Sequence, residues 1–95
     1  MITTIRIAGV DYPITYTPTP ELENVLAFID FNRNIIQVNN SYPKETQQLS
    51  LLHEVVHGVN YAYSVGMTEE QVERFSRGFY AMVKDDPNYK IFEGS

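Results

Sequence analysis

The chain has 95 residues, 43% of them hydrophobic, and a formal charge of −5 from twelve acidic and seven basic residues. This composition predicts one globular domain, and the absence of any run of Lys or Arg argues against direct binding of DNA or RNA. Without cysteine, disulfides and thiolate metal sites are excluded, which leaves histidine and carboxylates as the strong metal ligands. The sequence has no signal-like hydrophobic core and no membrane-length apolar run, so we expect no membrane association and a cytoplasmic location.

Residues 2–7 and 12–17 are short segments rich in β-branched and aromatic side chains, a composition typical of strands. They predict a β-hairpin whose turn uses the positive backbone dihedrals that Gly9 adopts without strain. Pro13 has no amide hydrogen to donate to a neighbouring strand. We therefore expect the second strand to lie at a sheet edge or to begin near Pro13.

A second strand pair is predicted at residues 25–30 and 34–38. Asp30 and Asn32 lie in the connecting turn, and side chains of this type close turns through local hydrogen bonds. Residues 21–24 are expected to form a helical turn before this pair. The N-terminal half thus predicts a small antiparallel or mixed sheet.

The C-terminal half predicts two helices, of which the first covers residues 43–63. Ser41 is its expected N-terminal cap, and Pro43 suits its first turn. Gly66 is expected to cap its C-terminal end, because glycine adopts left-handed backbone dihedrals at low cost.

The second helix is predicted to begin at Thr68 and to run to about Asp85. Thr68 and Gln71 have the spacing of a capping box, in which each side chain binds the other residue's backbone amide. Together the elements predict a single α+β domain over residues 1–95, with the sheet packed on two helices.

Apolar side chains recur at helical spacing in both predicted helices and define the faces expected to be buried. In the first helix they are Leu52, Val55, Val56, Val59 and Tyr63, with Leu51 at the margin. In the second helix they are Val72, Phe75, Phe79, Met82 and Val83. The other face of the first helix is then expected to line a cleft.

The sequence His53-Glu54-Val55-Val56-His57, on that cleft face, fits the pattern H-E-x-x-H. Two histidines four residues apart project from one side of a helix, so both imidazoles can bind one metal ion. Glu54 is turned about 100° from His53 and is placed to take a proton from a water on the metal. The spacing predicts one zinc ion per chain, with Glu54 as general base.

A catalytic zinc usually has three protein ligands, and with both histidines used the third must be a carboxylate. From the centre of the apolar face of the second helix, Glu69 lies about 75° away, Glu73 about 115° and Glu70 about 175°. Glu69 is the predicted ligand, although a first-turn acid favoured by the helix dipole would look the same. Glu73 is the alternative ligand or a residue that orients a histidine, and Glu70 is expected to face solvent.

Two tyrosines are candidates for stabilising the developing oxyanion. Tyr61 lies one turn after His57, and Tyr80 lies three turns after Glu69 on the same side of its helix. Either hydroxyl could donate to a developing alkoxide. A core tyrosine with a solvated tip is the alternative for each of them.

The segments LLHEVVHGV and EEQVERFSRGFY resemble the ImmA/IrrE-type zinc metallopeptidases, in particular the short forms encoded by phages and prophages. Residues 25–86 carry the resemblance, and the second segment matches the pattern E-x-x-A/V-x-x-F/L from Glu69 onward. Val72 stands where relatives have alanine, which changes how closely the two helices can pack. The family implies a minimal zincin core: a small sheet, an active-site helix and a glutamate-bearing helix.

By that resemblance, His53, His57 and Glu69 bind zinc and Glu54 is the catalytic base. It implies hydrolysis of peptide bonds in a specific phage or host protein, and some longer relatives cleave repressors or other transcription regulators. Two other hypotheses stay open. The chain could be a regulatory or interaction protein with a structural or vestigial zinc site, or an α+β binding module with a fortuitous motif.

Overall fold

The computed structural model describes residues 2–86 and Asn88. These residues form β1 Thr4–Ile7, β2 Val10–Thr17, β3 Ala27–Asp30, β4 Ile35–Asn39, α1 Lys44–Tyr63 and α2 Glu69–Asp85. The strands make one mixed sheet in the order β1-β2-β4-β3, in which β2 and β4 are parallel and the other neighbours antiparallel. The predicted α+β fold, with the sheet in the N-terminal half and two helices in the C-terminal half, is confirmed.

The buried face of the sheet is built from alternate residues of β2 and β4, because successive side chains of a strand point to opposite faces. These residues are Tyr12, Ile14, Ile36 and Val38. Ile7 from β1 and Leu51 from α1 complete the cluster. The main hydrophobic core therefore lies between the sheet and α1.

Pro13 lies within an internal strand, so the expectation of an edge strand or a strand start is wrong. β2 pairs with β4 only from Ile14 onward. On the β1 side, the Ile14 amide donates to the Thr3 carbonyl at 2.8 Å. Amides alternate in direction along a strand, so the Pro13 nitrogen faces β4 before that pairing begins. The missing amide hydrogen therefore costs no ladder hydrogen bond.

Both predicted hairpins form, the first with a turn shorter than expected and the second with β4 beginning one residue later than expected, at Ile35. Ala8 and Gly9 join β1 to β2 with φ values of 51° and 80°, the positive dihedrals of a two-residue turn. Asp30 closes the second turn, since its Oδ1 accepts from the backbone amides two and three residues on, at 2.9 and 3.1 Å. Residues 21–24 form bends and a turn, so the expected helical turn there is wrong.

The ends of α1 differ from the prediction. Ser41 is not its cap, because the Ser41 amide and hydroxyl both donate to Asn39 Oδ1, at 3.0 and 2.6 Å. Pro43 occupies the N-cap position without a side-chain hydrogen bond. At the other end Ser64, with φ 51°, takes the left-handed position that we expected Gly66 to fill.

The helix α1 lies between the sheet on one side and α2 on the other. It buries Leu51, Leu52 and Val56, but Val59 is 41% exposed and Tyr63 is 65% exposed, so the predicted apolar face is wrong toward its C-terminal end. Gly58 is buried against the sheet, where an added Cβ would lie 2.6 Å from Ile7 Cδ1. Glycine at this position allows α1 to approach the sheet closely.

The helix α2 buries a face rotated from the predicted one. Its buried residues are Val72, Ser76, Tyr80 and Val83. Phe75 is 53% exposed and Met82 is 44% exposed, contrary to the prediction from apolar spacing. Ser76 is fully buried and satisfies its hydroxyl by donating to the Val72 carbonyl at 2.7 Å. A small residue at this point lets the two helices pack closely.

Candidate metal centre

The helix α1 presents His53 and His57 one turn apart, and their side chains are 18% and 26% exposed. Their Nε2 atoms lie 3.1 Å apart. A neutral imidazole nitrogen is either a donor or an acceptor, so two lone pairs at this distance repel unless a proton or a cation lies between them. The two side chains are thus arranged to share one electropositive partner.

The start of α2 brings Glu69 to these histidines. Thr68 and Gln71 form the predicted capping box, with hydrogen bonds of 2.9 and 3.2 Å, so that Glu69 is the first residue of the helix. Asn60, near the end of α1, fixes the connecting loop by binding the Met67 amide and carbonyl at 2.9 and 3.2 Å. No sequence motif marks Asn60, because its backbone partners are defined only by the folded loop.

The Glu69 carboxylate spans the two histidines. Its oxygens lie 3.0 Å from His53 Nε2 and 3.0 Å from His57 Nε2. One potential ligand atom from each of the three residues lies within 4.8 Å of the others. Tetrahedral zinc with ligands at about 2.0–2.1 Å separates neighbouring ligand atoms by about 3.3 Å. The spacings, together with a donor set of two imidazoles and one carboxylate, fit a zinc ion.

Glu73 lies on the other nitrogen of His53, with its Oε2 3.2 Å from Nδ1. Arg77 Nε donates to the second oxygen of Glu73 at 2.6 Å and holds the pKa of this carboxyl below its usual range. Glu73 therefore occupies an orienting position and is not among the three converging groups. Glu70 is 70% exposed and pairs with Arg74 at 2.5 Å.

Glu54 lies beside the cluster but is not one of its three converging groups. The backbone amide of Ile29 in β3 donates to its carboxylate. Burial, followed by the negative charge of Glu69, raises the pKa of Glu54 from 4.5 to about 7. Near neutral pH this carboxyl group is therefore able to accept a proton and to release it again.

The two tyrosines considered for oxyanion stabilisation lie away from the cluster. Tyr61 is 65% exposed and stacks on Phe31 with ring centroids 4.1 Å apart. The Tyr80 hydroxyl donates to Gln48 Oε1 at 2.9 Å, toward the N-terminal part of α1. Neither tyrosine lines the cleft onto which His53, Glu54 and Glu69 open. Both tyrosines contact residues that are distant in sequence. Helical spacing alone does not predict such contacts.

A cleft of about 550 Å³ adjoins the cluster, and His53, Glu54 and Glu69 open onto it. One wall is formed by residues 25–27, where the chain enters β3. The opposite wall is formed by α1 and α2. The cleft thus places the base and the potential ligands at one surface that an extended ligand could reach.

Comparison with protein-family models, with curated proteins and with solved structures found no match to this chain. Within residues 2–86 and Asn88, no helix combines the length and the hydropathy needed to cross a membrane.

Proposed function

We propose that this chain is a zinc-dependent metallopeptidase that hydrolyses peptide bonds in a specific protein substrate. The observation that carries the proposal is the convergence of His53 Nε2, His57 Nε2 and the Glu69 carboxylate. Glu54 stands beside these groups and outside the ligand set. This is the division of roles that the pattern H-E-x-x-H predicts, with one zinc ion per chain.

The number of converging ligands favours catalysis over a structural role. Structural zinc sites are closed by four protein ligands, whereas catalytic sites keep one position for water or substrate. In the described part of the chain this group contains three residues, His53, His57 and Glu69. The Glu69 side chain is 70% exposed, and the group opens onto a cleft. Three ligands beside an open cleft are the arrangement of a catalytic site.

The proposed chemistry assigns the proton transfers to Glu54. A bound zinc ion would supply Lewis-acid chemistry, acidifying water and polarising the scissile carbonyl. The Glu54 carboxylate accepts the proton of the attacking water and delivers it to the leaving amine. The hydrogen bond from the Ile29 amide orients the Glu54 carboxylate for both transfers.

The edge of the sheet indicates how a peptide would enter the cleft. β3 is an edge strand, and the Asn39 amide donates to the Leu26 carbonyl at 2.8 Å. Since backbone groups alternate along a strand, those of Ala27 and Ile29 face the open edge, and the Ile29 amide does reach Glu54. An extended peptide pairing with this edge at Ala27 would bring its carbonyls past the base, which itself accepts from the Ile29 amide.

The substrate is proposed from the resemblance to the ImmA/IrrE-type peptidases, and it is a phage or host protein of the repressor type. The proposal includes no direct contact with nucleic acid or membrane. Its alternative is a regulatory or interaction protein that carries zinc without cleaving anything.

Cleavage of a quenched fluorescent peptide library by the zinc-loaded protein tests this proposal. Glu54→Gln should lower the rate by about 10²–10⁴-fold at equal zinc content, since the neutral amide cannot accept the proton of water. Glu70→Gln is the matched control, because it removes a carboxylate from the exposed pair with Arg74 and should cleave like the wild type.

Equal rates for the wild type and Glu54→Gln would contradict the proposed mechanism. Zinc bound at one ion per chain, without cleavage of the library or of repressor-like proteins captured by the Glu54→Gln variant, would favour the regulatory alternative.

A further inference from the structure

We propose that Arg77 is a positioning residue of the metal site, which acts through Glu73 to hold His53 with its Nε2 lone pair directed at the metal position. The consequence for metal binding rests on the proposed function. The orientation of the His53 ring does not, because it is a property of the metal-free chain.

Glu73 is held by directed contacts at both of its oxygens. Arg77 Nε donates to Oε1 at 2.6 Å, while Oε2 lies 3.2 Å from His53 Nδ1. The Glu73 side chain is 43% exposed, so without Arg77 it would be free to turn toward solvent. The arginine therefore selects the orientation of Glu73 in which the carboxylate meets the imidazole.

The contact at Nδ1 fixes the orientation of the His53 ring in the metal site. In the metal-free chain both ring nitrogens face a carboxylate, Glu73 at 3.2 Å from Nδ1 and Glu69 at 3.0 Å from Nε2. When a cation takes the Nε2 lone pair, the one N–H of the neutral ring lies at Nδ1 and donates to Glu73. The Nε2 atom then presents a lone pair toward the position it shares with His57 and Glu69. In the other tautomer the Nε2 proton would occupy the place of the metal. A carboxylate on the outer nitrogen of a metal-binding histidine fixes the tautomer in this way.

The same helix carries a matched pair without a histidine. Arg74 and Glu70 have the same spacing of four residues as Arg77 and Glu73, at 2.5 Å, and their side chains are 78% and 70% exposed. Both arginines are exposed and lie outside the buried face of α2. Replacing either one should leave the fold intact, so that a difference between the two variants reports the contact to His53.

The first measurement is the χ1 rotamer of His53 in the metal-free protein, read from NMR scalar couplings to its β protons. The wild type should populate one rotamer, the one that places Nδ1 against Glu73. Arg77→Gln should shift the side chain toward a mixture of rotamers, and Arg74→Gln should match the wild type.

The second measurement is zinc affinity by competition with a chelator. Removing a residue that hydrogen-bonds a metal ligand typically lowers metal affinity about 10–100-fold. Glu73→Ala should therefore lower zinc affinity about 10-fold. Arg77→Gln should lower it about 5-fold, because Arg77 acts on His53 only through Glu73. Arg74→Gln should stay within about 2-fold. In the Glu73→Ala background Arg77→Gln should add nothing, because the arginine acts through that carboxylate.

Identical His53 spectra for Arg77→Gln and Arg74→Gln would overturn the inference, as would an additive effect of Arg77→Gln on affinity in the Glu73→Ala background. A wild-type chain that binds no zinc would refute the proposed function instead. The rotamer comparison would still decide whether Arg77 orients His53.

Discussion

Two clefts of similar volume differ in how their carboxylates are paired. The cleft beside the histidines has a volume of about 550 Å³, and a second cleft, at the β3–β4 turn, about 620 Å³. In the second cleft Arg33 donates to Glu21 at 2.5 Å and to Asp30 at 2.8 Å, and it lowers the pKa of both carboxyls. In the first cleft burial raises the pKa of Glu54 to about 7.

The difference indicates that the pairing of charges, and not the volume, distinguishes the cleft with the candidate metal site from the other one. The carboxylates of the second cleft already have an arginine as their cation. Among the described residues, the ion pairs of Glu69 are to His53 and His57, and no Lys or Arg pairs with it. The first cleft is therefore the one whose charges would be balanced by an external cation.

The largest expected effect is the loss of zinc binding when a histidine is removed. His53→Ala and His57→Ala should each lower the affinity by more than about 100-fold, because losing a ligand costs more than losing a group behind one. Folding should persist, since the imidazoles lie outside the core cluster. Competition titration measures this, with Glu21→Gln in the second cleft as the control of unchanged affinity. Full affinity in both histidine variants would rule out the site.

A smaller effect should separate the glutamates of α2. Glu69→Ala should lower zinc affinity by about 100-fold, less than the loss of a histidine because imidazole suits zinc better than a carboxylate does, but more than the loss of a residue that only orients a ligand. Glu70→Ala should leave it unchanged, since Glu70 pairs with Arg74 on the exposed side. If the titration ranked Glu70 above Glu69, the orientation of α2 described above would be incorrect.

The smallest expected effect is on stability and concerns Glu54 in the metal-free protein. Its pKa is about 7 in the folded state and 4.5 ordinarily, so the folded state binds this proton more tightly than the unfolded state does. The stability that the bound proton contributes is present at low pH and is lost as the pH rises through about 7. Glu54→Gln stays neutral and should exceed the wild type in unfolding free energy by about 1–3 kcal/mol near pH 8. Near pH 4.5 the two should be about equal.

Urea unfolding at both pH values measures this difference. Glu21→Gln is the control from the second cleft, because Arg33 lowers the pKa of Glu21 and its ionised form is the favoured one. A comparable gain for Glu21→Gln near pH 8 would show that the effect is not specific to the buried carboxyl.

The elements, their order and the histidine pair could be predicted from the sequence, whereas the element ends and the buried face of α2 could not. Apolar spacing placed Phe75 inside, but α2 packs on α1 and the close approach selects the small Ser76. Phe75 instead stacks on Phe79 with ring centroids 5.9 Å apart and stays exposed. Measured around the helix axis from the centre of the observed buried face, Glu69 lies about 25° away, closer than the predicted angle of about 75°.

Other differences have the same origin in contacts distant in sequence. Tyr61 shares a helix side with His57, but Phe31, from the β3–β4 turn, takes its ring as a stacking partner. Pro13 suggested an edge strand because its missing amide was assumed to face a neighbour. In the structure, the register of β2 places the Pro13 nitrogen where neither β1 nor β4 requires an amide donor. No local sequence pattern specifies this register.

Anomalous scattering at the zinc absorption edge, from crystals of the zinc-loaded protein, tests the central claim most directly. The predicted result is one peak per chain, about 2.0–2.1 Å from His53 Nε2, His57 Nε2 and a Glu69 oxygen. A peak at Glu21 and Asp30 in the second cleft, with none between the histidines, would contradict the claim.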